Sequence, residues 1–91
     1  MKIEFDNNKN QRNIRERGLS FESVADFDFA TALIIEDTRR DYGETRYRAL
    51  GLVNGRLHSL VFTETAQGIR VISFRKANQR EVTGYEHKTQ T

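Results

Sequence analysis

The sequence predicts one α+β domain with a mostly antiparallel sheet of four to five strands, two N-terminal helices and one C-terminal helix. Three observations support this prediction. The 91 residues are enough for a single small domain. The second half contains apolar segments joined by turn-forming residues, which is typical of an antiparallel meander. Segments with helix caps and helical spacing lie before and after these strands.

The first elements are a short strand and a helix. Ile3 and Phe5 alternate with charged residues, which indicates a strand. Asp6 is a good N-cap, and residues 7–17 contain no helix breaker. Gly18 then suits the position just after a helix.

A second helix and a strand are predicted next. Ser20 is a suitable N-cap, and Phe21 and Val24 begin an apolar face at helical spacing. Residues 32–35 form a continuous apolar run with β-branched members, which favours a largely buried strand. The polar residues 37–44 should form a loop.

The strongest sheet signal is a hairpin. Residues 45–53 and 56–65 flank Asn54 and Gly55, the pair that a type I′ turn prefers because both central residues need a positive φ. A second turn should precede a last strand at residues 69–75.

The C-terminal helix is predicted over residues 76–86. Residues 87–91 are polar and form a predicted tail. Residues 1–86 are therefore expected to form the single domain.

Composition excludes several classes of protein. The chain has no cysteine, which excludes a disulfide framework and a thiolate zinc site. The longest apolar runs are far shorter than the roughly 20 residues of a membrane span. The N-terminus lacks the apolar segment of a secretory signal. We therefore expect a cytoplasmic protein with no membrane partner.

Charge is unevenly distributed along the chain. Residues 21–44 carry two basic and seven acidic side chains, whereas residues 45–91 carry eight basic and three acidic ones. Arginine outnumbers lysine eleven to four, and the guanidinium group fits phosphate oxygens in pairs. The pattern suggests a polyanion-binding face and a separate site for a basic partner, or a solvated surface with ordinary ion pairs.

Arginine is the residue type most able to support chemistry here. Neither His58 nor His87 has metal-ligand spacing, and no nucleophile motif is present. Arg70, Arg75 and Arg80 recur at five-residue intervals across the last strand and the following helix. They could meet in one shallow pocket and stabilise charge on a phosphodiester, or form surface ion pairs with nearby glutamates.

The chain resembles the BrnT family along residues 5 to about 86. The matching positions are Phe5-Asp6-x-x-Lys9-x-x-x-Asn13, Gly18-Leu19-Ser20-Phe21-Glu22-x-x-Ala25, Glu44-x-Arg46 with Gly51, Val61-Phe62-Thr63, and Ile69-Arg70-Val71-Ile72-Ser73-x-Arg75-x-Ala77-x-x-x-Glu81-x-x-x-Tyr85.

The resemblance implies a RelE-like toxin of a type II toxin–antitoxin system. It implies RNA cleavage without a metal or cofactor, by attack of the ribose 2′-hydroxyl on the adjacent phosphate, and consequent inhibition of translation. It further implies neutralisation by a BrnA-like antitoxin, a ribbon-helix-helix protein through which alone operator DNA would be bound. By position, Arg70 and Arg75 would stabilise the phosphate, and Lys9 and Arg80 would be supporting cations.

Two positions depart from the family pattern. The family usually has Lys-His before Gly18, where this chain has Glu16 and Arg17, and arginine effectively cannot shuttle a proton. The family often has arginine where Thr65 stands. Proton transfer at the Arg17 position is therefore open, with Lys9, Glu81, Tyr85 or water as candidates.

Two other functions remain open. One is a catalytically weakened antitoxin-binding subunit acting in operon autoregulation. The other is a general nucleic-acid-binding domain, for which Tyr42 and Tyr47 are the candidate stacking residues.

Overall fold

A computed structural model describes residues 1–90 and contains five strands, two α-helices and one 3₁₀ helix. The elements are β1 Lys2–Phe5, α1 Asn7–Arg17, the 3₁₀ helix Phe21–Asp26, β2 Leu33–Glu36, β3 Tyr47–Val53, β4 Arg56–Glu64, β5 Gly68–Lys76 and α2 Gln79–Thr89. The α+β class is confirmed. Within the described residues, no helix is long and apolar enough to span a membrane.

The five strands form one sheet in the order β1-β5-β4-β3-β2. The strands β2 to β5 are antiparallel to their neighbours, but β1 lies parallel to β5, from Lys2 opposite Gly68 to Phe5 opposite Val71. The sheet is therefore mixed: the predicted antiparallel meander is formed by β2 to β5, but the expectation of a mostly antiparallel sheet did not include the parallel pair at this edge. The long chain between β1 and β5 allows either direction, and the alternation in β1 is the same in both.

The second predicted N-terminal helix is a six-residue 3₁₀ helix, so only one α-helix precedes β2. Ser20 caps it as predicted, since its hydroxyl accepts the Glu22 N–H at 3.1 Å. The helix ends because Phe27 is extended and forms a bridge with Val53 of β3. Phe27 therefore pairs with the sheet instead of continuing the helix.

The predicted backbone signals at turns and caps are confirmed. Asp6 accepts the Lys9 N–H at 3.0 Å and caps α1, and Gly18 ends this helix with a φ of 64°. Asn54 and Gly55 adopt φ values of 49° and 80° between β3 and β4. These residues fix the ends of α1 and the register of the central hairpin.

α1 is joined to the domain by amide side chains rather than by an apolar face. Ile14 is 38% exposed. Asn10 is buried, and its Oδ1 accepts the Phe21 N–H at 2.7 Å. The Asn13 side chain donates to the Phe74 carbonyl at 3.0 Å and so covers part of the β5 edge that β1 leaves free.

The core lies between the 3₁₀ helix and one side of the sheet, which we call the inner face. The buried core side chains are Phe21, Val24, Phe27, Ala49, Val53, Leu60, Phe62, Ile69, Val71 and Phe74. Phe27 lies directly against Gly51, where a Cβ atom would collide with the ring.

α2 lies against the opposite, outer face. Val82 and Tyr85 line a cleft together with Leu52 and Leu57 of the sheet. The helix begins at Gln79, since β5 continues to Lys76, and it extends through the first three residues of the predicted tail. Thr91 lies outside the described residues.

Candidate active site

A bulge in β5 decides which of its side chains reach the outer face. Val61 lies opposite Ser73, whereas Phe62 lies opposite Val71, so Ile72 is an extra residue in β5. The alternation of β5 therefore shifts by one residue at this point. As a result, Val71 and Phe74 are both in the core.

Arg70 and Arg75 both lie on the outer face. Arg70 is opposite Thr63 and Arg75 is opposite Ser59, two residues that share one side of β4. Five residues of extended strand place the two arginines about 16 Å apart. They line separate depressions, and each is bound to a carboxylate. The prediction of one shared pocket is therefore wrong.

Arg75 lines a groove of about 430 Å³ between α2 and the outer face, which we call the outer groove. All four strands β2 to β5 contribute to it. Its polar lining comes from Arg39, Arg48, Ser59, Ser73, Arg75, Glu81 and Lys88. Leu50 and Val61 are among its apolar lining residues. Four cations therefore face one carboxylate, an arrangement that favours an anionic ligand.

Arg75 and Glu81 form a bidentate ion pair in the outer groove. The two guanidinium nitrogens donate to the two carboxylate oxygens at 2.8 and 3.0 Å. The pair raises the pKa of Arg75, and the hydrogen bonds from Arg75 hold the pKa of Glu81 below its usual value. Glu81 also accepts the Asn78 N–H at 2.9 Å and completes the capping box of α2. The capping box at the start of α2 thereby holds the Glu81 carboxylate in position.

Arg48 is a site residue that the sequence reasoning missed. It lies in β3 between Ile35 and Val61, its neighbours on the adjacent strands, and it lines the outer groove. Its buried Nε has no hydrogen-bond partner within residues 1–90. A buried donor without an acceptor is costly, so this N–H can gain from an anionic oxygen. The sequence signal that could have identified Arg48 was its placement with Arg46 on one face of the predicted strand.

Arg70 belongs to a second cluster at the other end of β5. Its guanidinium donates to both Glu44 oxygens at 2.8 and 3.0 Å, and Arg46 donates to Glu44 at 3.0 Å. The hydrogen bonds from Arg46 and then Arg70 hold the pKa of Glu44 below its usual value. Lys9 lines the same depression of about 460 Å³.

Arg17 lines a third, smaller depression of about 190 Å³ between α1 and β5. This depression shares Lys9 and Ile72 with the Arg70 depression, and it shares Ser73 with the outer groove. The three depressions therefore adjoin along β5. We call this surface, from Arg70 past Lys9 and Arg17 to Arg75, the β5 track.

Arg80 is not brought together with the other predicted residues. It is exposed in the first turn of α2 and lines none of the depressions of the β5 track. Tyr85, a candidate for proton transfer, donates its hydroxyl to the Thr31 carbonyl at 3.0 Å. That hydrogen bond joins α2 to the segment before β2.

The aromatic candidates for base stacking are occupied. Arg46 lies 4.3 Å from the centre of the Tyr42 ring, and Tyr47 stacks on Phe62 with centroids 5.5 Å apart. His58 is buried against Phe74, and burial lowers the pKa of this imidazole. His58 is therefore a buried histidine that packs against the core.

The sequence is similar to a known protein family. A family model described as "Ribonuclease toxin, BrnT, of type II toxin-antitoxin system" matches residues 5–81. No curated protein and no solved structure gives a significant match, so the RelE-like relationship stays a prediction. The matched span runs from the end of β1 into α2 and includes the β5 track. The chain therefore belongs to the BrnT family of ribonuclease toxins of type II toxin–antitoxin systems.

Proposed function

We propose that this BrnT protein is a metal-independent endoribonuclease whose active site is the outer groove. The observation that carries the proposal is the convergence of Arg48 and the Arg75–Glu81 pair in one concave, cationic surface, where the Arg48 Nε has no partner among residues 1–90. Two guanidinium groups can stabilise a phosphorane without a metal, because they place fixed positive charge where negative charge develops. A carboxylate beside them can accept a proton.

Exchange of ion pairs would begin the reaction. A backbone phosphate enters the outer groove and accepts a hydrogen bond from Arg48 Nε. It also replaces Glu81 as the ion-pair partner of the Arg75 guanidinium group. The released Glu81 then lies beside the bound nucleotide as a free carboxylate. Its pKa rises because the hydrogen bonds that lowered it have been lost, and a carboxylate with a higher pKa is a better base.

The bond changes follow from the attack of the 2′-hydroxyl. Glu81 accepts the 2′-hydroxyl proton, the 2′-oxygen forms a bond to phosphorus, and the bond from phosphorus to the 5′-oxygen breaks. Arg48 and Arg75 hold the charged phosphorane, and water gives a proton to the leaving 5′-oxygen. The products are a 2′,3′-cyclic phosphate and a 5′-hydroxyl end.

The β5 track would hold the flanking RNA. Lys9, Arg17 and Arg70 line the adjoining depressions, where they can bind backbone phosphates on one side of the cleaved linkage. Arg17 acts as a cation in this scheme because a guanidinium does not exchange its proton near neutral pH. Arg80, although a supporting cation by its position in the family motif, lies outside this path.

The proposal includes a partner and a location. A type II system implies an antitoxin. We propose that it is BrnA-like, carries a ribbon-helix-helix DNA-binding domain, and alone contacts operator DNA, while the toxin acts in the cytoplasm and inhibits translation. Co-expression tests this proposal: the antitoxin should restore growth that the toxin arrests, and the complex but not the toxin should bind operator DNA.

The decisive experiment for the enzyme is cleavage of naked RNA in excess EDTA. We expect cleavage to continue, with 2′,3′-cyclic phosphate ends. Arg48→Ala and Arg75→Ala should each lower the rate by about 10²-fold or more. Arg15→Ala is the matched control, since Arg15 is exposed on α1 and lines none of the depressions of the β5 track. Cleavage that stops in EDTA, or that survives both outer-groove variants, would refute the proposal.

The weakened antitoxin-binding subunit remains the second candidate. It is favoured by Arg17 in place of the family histidine and by the engagement of Arg70 and Arg75 with carboxylates. This function predicts no cleavage of RNA by the purified chain, together with a change in the DNA affinity of the antitoxin when the chain binds to it.

A further inference from the structure

The edge strand β2 exposes an apolar surface that nothing in the described chain covers. The exposed large hydrophobic residues within residues 1–90 are Met1, Ile14, Ile34 and Ile35. Two of them are adjacent in β2, where Ile34 is 43% and Ile35 is 55% exposed. They point to opposite faces of the sheet, so both sides of this edge are apolar.

The backbone of β2 is also free to pair. Asp37 follows β2 and Arg46 precedes β3. The Asp37 N–H donates to the Arg46 carbonyl at 2.7 Å, so these two residues form a hydrogen-bonded pair that continues the β2–β3 ladder. In an antiparallel ladder such pairs alternate, so the N–H and C=O groups of Ile34 and Glu36 point away from β3. They are available to a strand lying alongside β2.

The opposite edge of the sheet is protected, which makes the open β2 edge distinctive. On β1, Lys2 and Glu4 form an ion pair at 3.7 Å, and charged side chains at an edge oppose further pairing. β1 also lies against the 3₁₀ helix. The β2 edge has neither form of protection along its apolar residues.

On the side of β2 that faces away from the cations of the outer groove, charge favours a basic occupant. Asp26, Asp28 and Glu36 are exposed, and none of them forms an ion pair with another described residue. The charges of Glu64 and Glu36 raise the pKa of Tyr47 at the start of β3, which indicates a negative potential there. A second copy of the chain would bring the same carboxylates to the edge, and like charges would oppose that pairing.

We propose that an extended, basic segment of the antitoxin adds a sixth strand to the sheet at the β2 edge. Its apolar side chains cover Ile34 and Ile35, and its cations face the carboxylates at either end of β2. Leu33 and Ile35 line the outer groove, so the added strand lies at the rim of that groove and can obstruct RNA entry. The proposal rests on family membership and on neutralisation through a partner, not on the mechanism of RNA cleavage.

Amide hydrogen exchange tests the added strand directly. The probe is the antitoxin co-expressed with the full-length toxin, separated from it and titrated back onto ¹⁵N-labelled toxin. We expect the amides of Ile34 and Glu36 to exchange rapidly in the free toxin and to become protected in the complex. The Ile35 amide, which already pairs with β3, should change little. Continued rapid exchange at Ile34 and Glu36 in the saturated complex would overturn the proposal.

A pair of matched variants tests the energetic role of the edge. Ile34→Lys should raise the Kd for the antitoxin at least about ten-fold. Ile14→Lys makes the same chemical change at a similarly exposed position on α1, and its Kd should match that of the wild type. Equal affinities of the two variants would contradict the proposal. The exchange experiment on the wild-type chain decides the question even if Ile34→Lys misfolds.

Two further measurements identify the occupant and separate this inference from the enzyme. Glu36→Lys should weaken antitoxin binding if the added segment is basic, and unchanged binding would overturn that assignment. Protection of Ile34 that rises with the concentration of toxin alone would instead assign the edge to a second copy. RNA cleavage by free Ile34→Lys should equal that of the wild type, since Ile34 does not line the outer groove. The binding results stand whether or not the chain cleaves RNA.

Discussion

Replacing Glu81 with glutamine distinguishes a catalytic base from a carboxylate that only occupies Arg75. The amide is isosteric and keeps an oxygen that can accept the Asn78 N–H, so the cap of α2 is retained. The charge that pairs with both Arg75 nitrogens is lost. Because this ion pair is partly exposed, we expect a loss of about 1 kcal/mol in the free energy of unfolding at pH 7.

The difference in unfolding free energy between the wild type and Glu81→Gln should decrease as the pH falls. The folded-state pKa of Glu81 lies below its ordinary value of 4.5, so its carboxylate contributes stability that is fully present above pH 4.5. That contribution is lost as the pH falls through the folded-state pKa. Urea unfolding of wild type and Glu81→Gln should therefore differ at pH 7 and converge in acid. A difference that persists at the lowest pH would show that packing, not ionisation, is responsible.

The RNA cleavage rate of Glu81→Gln distinguishes the two roles of Glu81 more clearly than its stability does. As a general base, Glu81 should account for about 10²- to 10⁴-fold in the rate of RNA cleavage, measured in single-turnover reactions in EDTA. If Glu81 instead only withholds Arg75 from the phosphate, the variant should cleave as fast as the wild type or faster. Unchanged or increased cleavage would refute the assignment of Glu81 as the base.

Three further predictions concern packing, α1 and RNA binding. Gly51→Ala should destabilise the protein by about 1–3 kcal/mol because the new Cβ collides with the Phe27 ring. Gly84→Ala, in open space on α2, should stabilise it by about 0.5–1 kcal/mol; urea unfolding checks both, and equal effects would contradict the packing argument. Asn10→Ala should cost about 1–3 kcal/mol in the same assay by leaving a buried N–H unpaired, and a neutral effect would disprove that role. Arg70→Ala should reduce the slope of log affinity for single-stranded RNA against log salt by about 0.7, and an unchanged slope would exclude a phosphate contact.

Local signals in the sequence predicted local structure well. Asp6, Gly18 and Asn54 with Gly55 each determine a cap or a turn through their own backbone preferences, and the structure confirms all of them. The predictions of a second N-terminal α-helix and of a largely buried strand at residues 32–35 were wrong, since the helix is a short 3₁₀ helix and β2 is an exposed edge strand. The parallel direction of β1 was not predicted. Each of these features depends on parts of the chain that are distant in sequence. Phe27 forms a β-bridge with Val53, and β1 pairs with a strand that lies more than sixty residues later in the chain.

The candidate site was predictable in its residue type but not in its grouping. The resemblance identified Arg70 and Arg75. Spacing alone did not predict the bulge at Ile72, which determines the side of the sheet to which the later side chains of β5 point. Arg48 could not be identified from the sequence because its significance lies in a buried Nε that has no partner among the described residues, a property of the packed strands. The alternative of ion pairs with nearby glutamates agrees with the pairing of Glu81 with Arg75.

The most direct test of the central claim is an NMR titration that follows the side-chain Nε–H signals of the arginines. The ligand is a short RNA in which a 2′-O-methyl group blocks cleavage. The outer-groove account predicts that the Arg48 and Arg75 signals shift first and saturate together, while that of Arg15 on α1 does not move. Binding that leaves the Arg48 signal unchanged, or that shifts exposed arginines equally, would contradict it.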